Sequence, residues 1–381
     1  MIARLGILLG ALAFWLTVPP VATASALWPI LLGALAVACG LRARGRLGWI
    51  AVAVGVLGAS LGVLAEGAGR TNLGAAVVWS SLIASMLVNA TPLTYAALGG
   101  LYAERSGVVN IGLEGMMLTG AFFGIWGADV TGDWALGLAI AVAAGGVLAL
   151  GYAFFAIHLR TDQIIGGTAV NFLALGVTGY LFVDVYGFTG TPALRGSQQI
   201  PDVTLSTGSS FFAQAFGSLN LLVWLSFLAL GLTSLVVFKT PLGLRIRSVG
   251  ESPRTADAAG ISVYKTRYAA VTLSGMLAAL GGAYLSIGFV HSFNENMTAG
   301  RGFIALAALI FGKWRPGGAF AAALLFGFSS ALAQRLGTVP AWSSYAVLFQ
   351  TLPYVLTLVA VAGVIGRSIP PAAVGRPFAK Q

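Results

Sequence analysis

Long apolar runs follow one another along almost the whole chain, at residues 5–18, 27–41, 47–65, 75–100, 112–128, 134–158, 166–187, 219–238, 268–290, 302–312, 316–335 and 343–366. About 20 apolar residues in a helix cross the roughly 30 Å of hydrocarbon in a bilayer. Most of the runs reach that length. The first two and 302–312 are short and suit tilted, interfacial or half-spanning helices. Barrel strands would instead alternate polar and apolar positions in pieces of about ten residues. The pattern predicts an all-α polytopic membrane protein with ten to twelve transmembrane or half-spanning helices. Arg4, the run from Leu5 to Val18, and then Ala22-Thr23-Ala24 resemble a secretory leader with a small-residue cleavage site. Further spans follow at once, which favours an uncleaved first helix.

Composition narrows the class. Of 381 residues, 58% are hydrophobic and 8% charged, and the mean hydropathy is +0.90. Soluble chains average roughly 25% charged residues, so a soluble enzyme, a disordered chain and a nucleic-acid binder are excluded. The net charge of +10 then becomes a question of sides. Arg4, Arg42, Arg44, Arg46, Arg160, the 239–267 stretch, Lys313, Arg315 and the C-terminal tail fit one side. That side gathers sixteen basic residues against three acids, whereas the other has four against six. The excess of Lys and Arg marks the cytoplasmic face, so both termini are expected there. Cys39 is the single cysteine, and His158 and His291 are far apart. No disulfide, metal site or cofactor is expected. The sequence reads as a single domain over 1–381, with Gly-x-x-x-Gly spacings at Gly6/Gly10, Gly58/Gly62 and Gly120/Gly124 that permit close helix packing.

Two interruptions inside the apolar pattern carry the candidate chemistry. Between Gly99 and Gly115, five glycines and Asn110 separate two good spans without a hydrophilic loop. Such a stretch holds a regular helix poorly. At membrane depth, irregular backbone must be enclosed in protein or line a cavity, and broken helices are where transporters hold substrate. Asn110 can cap the helix that follows. Glu114 is an ionisable group within a span, a functional candidate by default. The plainer reading is a tight cytoplasmic turn in which Glu104 and Arg105 are solvated caps. The second interruption, His291 to Gly302, precedes an apolar run of about eleven residues that suits a half-helix. His291 reads as a loop residue.

A third feature lies in the polar stretch 239–267. Ser252 suits a helix N-cap, Pro253 the first helical position, and Gly260 a left-handed stop. Arg254, Ala256, Asp257, Ala258 and Ala259 fill the roughly two turns between them. So short a helix is marginal alone and is expected to rest on its own bundle or on a partner, to which the small alanines allow close approach. No Gly-x-x-x-x-Gly-Lys-[Ser/Thr] occurs, since Trp314 follows Gly312-Lys313. ATP hydrolysis by that route is therefore absent.

Thr91-Pro92-Leu93-Thr94-Tyr95, Gly99 through Glu114-Gly115-Met116-Met117, Asp162 through Asn171, Leu242 through Ile261 and Arg301 through Trp314 resemble the signatures of permease subunits of bacterial ABC importers. The similarity is to the ribose and branched-chain-amino-acid type, and within it to the nucleoside and simple-sugar branch. It covers about 75–366 and leaves 1–70 as a variable N-terminal addition. The resemblance implies a transport subunit, not an enzyme, in a bacterial inner membrane. Its implied partners are an ABC ATPase, a second permease subunit, an extracytoplasmic substrate-binding lipoprotein and membrane lipid. The 252–260 segment corresponds to the ATPase-coupling helix, and nucleosides are the implied cargo, with a simple sugar or another small polar solute as the alternative. Asn110, Glu114 and Asn171 are the candidate pathway residues. An ion-coupled secondary carrier using Glu114 and Asp162 is a further reading of the same residues.

Overall fold

The computed structural model describes residues 2–379 except 19–24, 44, 68–77, 188–189, 193, 206–207, 209 and 355–368. The cleavage-like Ala22-Thr23-Ala24 and the second half of the last apolar run lie outside the described residues. The chain separates into two compact units. The first comprises Met1–Ile83 with Phe328–Arg367, and the second Ala84–Gly327 with Ser368–Gln381.

In the first unit, α1 (Ile2–Thr17), α2 (Leu27–Ala43) and α3 (Arg46–Gly67) pack on one another. Glycine makes this possible. A β-carbon at Gly33 would sit 2.6 Å from the Gly55 carbonyl, and one at Gly10 2.9 Å from the Gly55 nitrogen. Gly6, Gly10, Gly58 and Gly62, the Gly-x-x-x-Gly residues of this unit, likewise line helix crossings.

In the second unit, α4 (Trp79–Arg105) runs into α5 (Leu113–Thr131) through a connection without regular structure. Then come α6 (Trp134–Ala153), ending in a π-helical turn at Phe154–His158, and α7 (Gln163–Tyr186). The segment after α7 holds a small antiparallel ribbon, β1 (Asp202–Thr204) with β2 (Ser218–Asn220), flanking α8 (Phe211–Phe216). Next are α9 (Leu221–Lys239), α10 (Pro241–Glu251), α11 (Pro253–Ala258) and α12 (Val263–Ala283), the last prolonged by a π-helical stretch to Val290. The half-length α13 (Arg301–Phe311) precedes α14 (Pro316–Gly337), whose last part from Phe328 belongs, like α15 (Ala346–Gln350), to the first unit.

Among the described residues, seven helices are long and apolar enough to cross a membrane: Leu47–Gly67, α4, Trp134–His158, α7, α9, Val263–Val290 and α14. The chain is thus a polytopic helical membrane protein. Of these seven, α4 and α12 are the most buried and α7 and α9 the least. The 19-residue α5 falls outside the group. It carries Glu114 and Asp129 and is buried along most of its length, so protein rather than lipid surrounds it. A β-carbon at Gly120 would overlap the Ala279 backbone, and one at Gly282 would overlap the Met117 carbonyl. These contacts set how closely α5 and α12 cross.

Pro92 lies inside α4. It has no N–H to bond the Val88 carbonyl. The Tyr284 hydroxyl donates to that carbonyl at 3.2 Å, so the freed acceptor is satisfied within the protein, as an apolar surrounding demands.

Candidate functional site

The first interruption is built from the end of α4. Gly107 adopts φ +90. Its N–H donates to the Glu104 carbonyl at 3.0 Å, and Val108 N–H donates to Ala103 at 3.1 Å. This is the paired closure of a helix by a left-handed glycine. Ser106, Gly107, Val108, Asn110 and Gly112 are all buried, so the irregular backbone is enclosed in protein.

Three side chains hold that connection from outside it. Gln163 Oε1 accepts from Val109 N–H at 2.7 Å, and the Tyr152 hydroxyl donates to the Val109 carbonyl. Asn171, on α7, donates from Nδ2 to the Ile111 carbonyl at 3.0 Å. Its Oδ1 accepts from Gly115 N–H at 2.8 Å. It thereby caps α5 across helices. Asn110, expected to cap α5, does not. The helix starts after Gly112 with no side-chain cap of its own, because Asn110 turns toward α12. Its Nδ2 donates to Ser274 Oγ at 2.9 Å, and its buried Oδ1 has no partner.

Glu114 joins the two interruptions. It is 8% exposed. Its Oε1 accepts from Thr298 Oγ1 at 2.6 Å and from Gly300 N–H at 2.8 Å, and its Oε2 accepts from Gly302 N–H at 2.6 Å. Gly300 is the N-cap position of α13, at φ +83, so the carboxylate faces the positive end of that helix. The eleven-residue helix read from the sequence as 302–312 is α13, and the Gly302 N–H in its first turn, free of any intrahelical acceptor, ends on an acid 188 residues away. Asp162 is placed differently. It is an exposed N-cap whose carboxylate accepts from Ile164 and Ile165 N–H at 2.8 and 3.1 Å.

Glu104 and Arg105 are not solvated caps, which corrects the plainer reading of the first interruption. Glu104 is 3% exposed and accepts from Trp314 Nε1. Arg105 grips the Trp314 carbonyl through Nε at 3.0 Å and Nη2 at 2.7 Å. The turn after α13 folds against the end of α4, and that long-range pairing buries Glu104 and half-buries Arg105.

The 252–260 helix has the expected boundaries. Ser252 is extended, Pro253 is the first residue of α11, and Gly260 has φ +82. The Ser252 hydroxyl pairs with Thr255 Oγ1 at 2.7 Å rather than with a backbone N–H. Ala256 is buried, and Asp257 is partly buried. Ser252, Arg254, Ala258, Ala259 and Gly260 are exposed. The preceding helix α10 was not anticipated, although Thr240-Pro241 repeats the same signal and the Thr240 hydroxyl accepts from Gly243 N–H at 3.2 Å. A β-carbon at Gly250 would overlap the Arg105 carbonyl, which seats this loop against the end of α4.

Sequence reasoning also passed over Gln163, Thr298, Trp314 and Arg267. Arg267 had a local signal, a cation at the edge of an apolar run. The others carry none, since an amide, a hydroxyl or an indole in a polar connection between apolar runs is ordinary. Among the described residues, no group of three or more His, Cys, Asp or Glu could hold a metal ion.

Helices long enough to span, a short half-helix with its N-terminus bound inside the protein, and a small exposed helix on a polar loop define a polytopic helical membrane protein. The family of permease components of branched-chain amino acid transport systems matches residues 82–361, and the chain belongs to this family. It is 42% identical over 317 residues to the guanosine ABC transporter permease protein NupQ of Bacillus subtilis, covering 80% of this chain and 98% of that protein. It is 37% identical over 318 residues to the nucleoside ABC transporter permease protein NupC of Lactococcus lactis, covering 79% and 97%. It is 36% identical over 261 residues to the putative glucose ABC transporter permease protein TsgC13 of Haloferax volcanii, covering 67% and 78%. No solved structure matches the chain.

Proposed function

We propose that this chain is the membrane-spanning subunit of an ATP-driven importer that moves nucleosides into a bacterial cell. The observation that carries the reading is the 42% identity to a guanosine permease across 98% of that protein. The likeness to a putative glucose permease makes a simple sugar the second cargo to test. In this reading the chain acts as one permease domain with ten to twelve spans and both termini in the cytoplasm, the side favoured by the basic residues. It works beside a second permease subunit, an ABC ATPase and an extracytoplasmic binding lipoprotein.

The 106–112 connection and α13 are the broken, half-spanning elements beside which cargo passes. Glu114 and Asn171 hold these elements, and the free Oδ1 of Asn110 is the acceptor left for a polar solute when they part. Ser252 to Gly260 is the segment on which the ATPase acts, and the exposure of Ala258 and Ala259 supports this. The acids of an ion-coupled carrier would need to be free to exchange a cation. Glu114 spends both oxygens on three donors, which favours the ATP-driven reading.

Uptake of labelled guanosine by cells carrying the complete transporter tests this. Uptake is expected to vanish when the ATPase subunit is deleted, and excess unlabelled glucose is expected to leave it unchanged. Uptake that persists without the ATPase would overturn the importer reading, and competition by glucose alone would replace the cargo.

A further inference from the structure

We infer that the C-terminal segment 369–379 is a working part of the coupling apparatus. It straps the α10–α11 loop to the 106–109 connection, with Arg267 as the buried post between them. The inference rests on reading the chain as the membrane subunit of an ATP-driven importer.

The segment bonds to the loop first. Ala373 N–H donates to the Gly250 carbonyl at 2.9 Å, and Ala372 N–H donates to the Glu251 carboxylate at 3.3 Å. Phe378 is buried in a cluster with Val249, Ala256 and Val263. Ala256 is the one buried residue of α11. A push on that short helix therefore meets Phe378 along with α10 and α12.

The segment also reaches the connection below α5. A β-carbon at Gly107 would stand 3.2 Å from the Ala373 carbonyl and 2.9 Å from Arg267 Nη2. Gly375, at φ +77, passes beside Val109. Arg267 is 1% exposed. It donates from Nε to the Ser106 carbonyl at 3.1 Å and from Nη1 to the Arg376 carbonyl at 3.2 Å, and its Nη2 has no acceptor. Removing a partner from a buried cation is strongly unfavourable. Withdrawal of the tail would take one of the two acceptors Arg267 has and leave the guanidinium with Ser106 alone. The connection and the tail consequently share one buried charge, the tail in turn holds the loop through Gly250 and Glu251, and the three should hold or release together.

The test uses the reconstituted complete transporter with Phe378→Ala, and separately Ala373→Pro, which removes the N–H donated to Gly250. Amide hydrogen exchange at 106–112 and at 253–260 is expected to accelerate together, by about tenfold, as a shared contact is lost. ATP hydrolysis is expected to continue in the assembled complex, while solute moved per ATP falls by about tenfold, a loss that fewer folded complexes would not produce. Exchange that rises only within 369–379, with transport per ATP unchanged, would overturn the proposal. The exchange experiment needs no cargo. If the unmodified transporter hydrolyses ATP but moves no nucleoside, the cargo reading fails while the strap is still decided by exchange.

Discussion

Gly302 donates its N–H to the Glu114 carboxylate at 2.6 Å, and a β-carbon at Gly302 would lie 2.5 Å from the Glu114 backbone. The first residues of α13 thus press directly on the first turn of α5. Hydrogen bonds to charged groups contribute about 1.5–3 kcal/mol each, and Glu114 accepts three.

Glu114→Gln keeps one acceptor oxygen but turns an amide N–H₂ toward another donor. It is expected to cost about 2 kcal/mol, and Glu114→Ala about 3–5 kcal/mol, because buried donors are left unpaired. Thermal unfolding of the purified chain in detergent measures both. A Glu114→Gln protein that unfolds at the wild-type temperature would show that the clasp contributes nothing.

Asn171→Ala removes the cap that α7 supplies to α5. A lost cap costs about 1 kcal/mol. Hydrogen exchange at Gly115 is expected to rise about fivefold, in keeping with that loss. Unaltered protection at Gly115 would assign its hydrogen bond to some other acceptor.

Ala258→Arg and Ala259→Arg place bulk and charge on the exposed face of α11. Folding and insertion are expected to be normal, with ATP hydrolysis no longer coupled to uptake. Ala256→Arg should behave differently. At 4% exposure it buries an unpaired cation, and the expected result is loss of folded protein by several kcal/mol. If all three variants behave alike in expression and in coupling, the face of α11 carries no docking role.

Gly120→Ala is expected to destabilise the α5–α12 crossing by about 1–3 kcal/mol, since its β-carbon overlaps the Ala279 backbone. Gly176→Ala on α7, where nothing lies within 4 Å, should be neutral or stabilising by up to about 1 kcal/mol. Detergent melting curves of the two variants give the comparison. Equal melting temperatures would mean that the crossing has slack.

The helices were legible because a bilayer demands long apolar segments and because helix ends follow local rules. The run 302–312 became α13 at Arg301–Phe311. Ser252-Pro253 and Gly260 marked α11, as the same rules would have marked α10 at Thr240-Pro241. The interruption at 99–115 was likewise visible from its glycines, and α4 ends at Arg105 by a left-handed turn at Gly107. Each of these features depends on residues within a few positions of one another.

Partnerships across the chain were not legible. Nothing near Glu104 in sequence announces that Trp314 will bury it. Asn110 is the cap the sequence suggests, yet the N-cap position falls on Gly112 and Asn171 takes the capping role from another helix. The tail at 369–379 holds a single charged residue and no motif, yet it reaches Gly250, Glu251 and, through Arg267, Ser106. Apolar length, capping and charge bias are properties of a segment and can be read along the chain. Which distant donor meets which buried acceptor follows from how closely the helices cross, and that distance is set by packing once the whole bundle has formed.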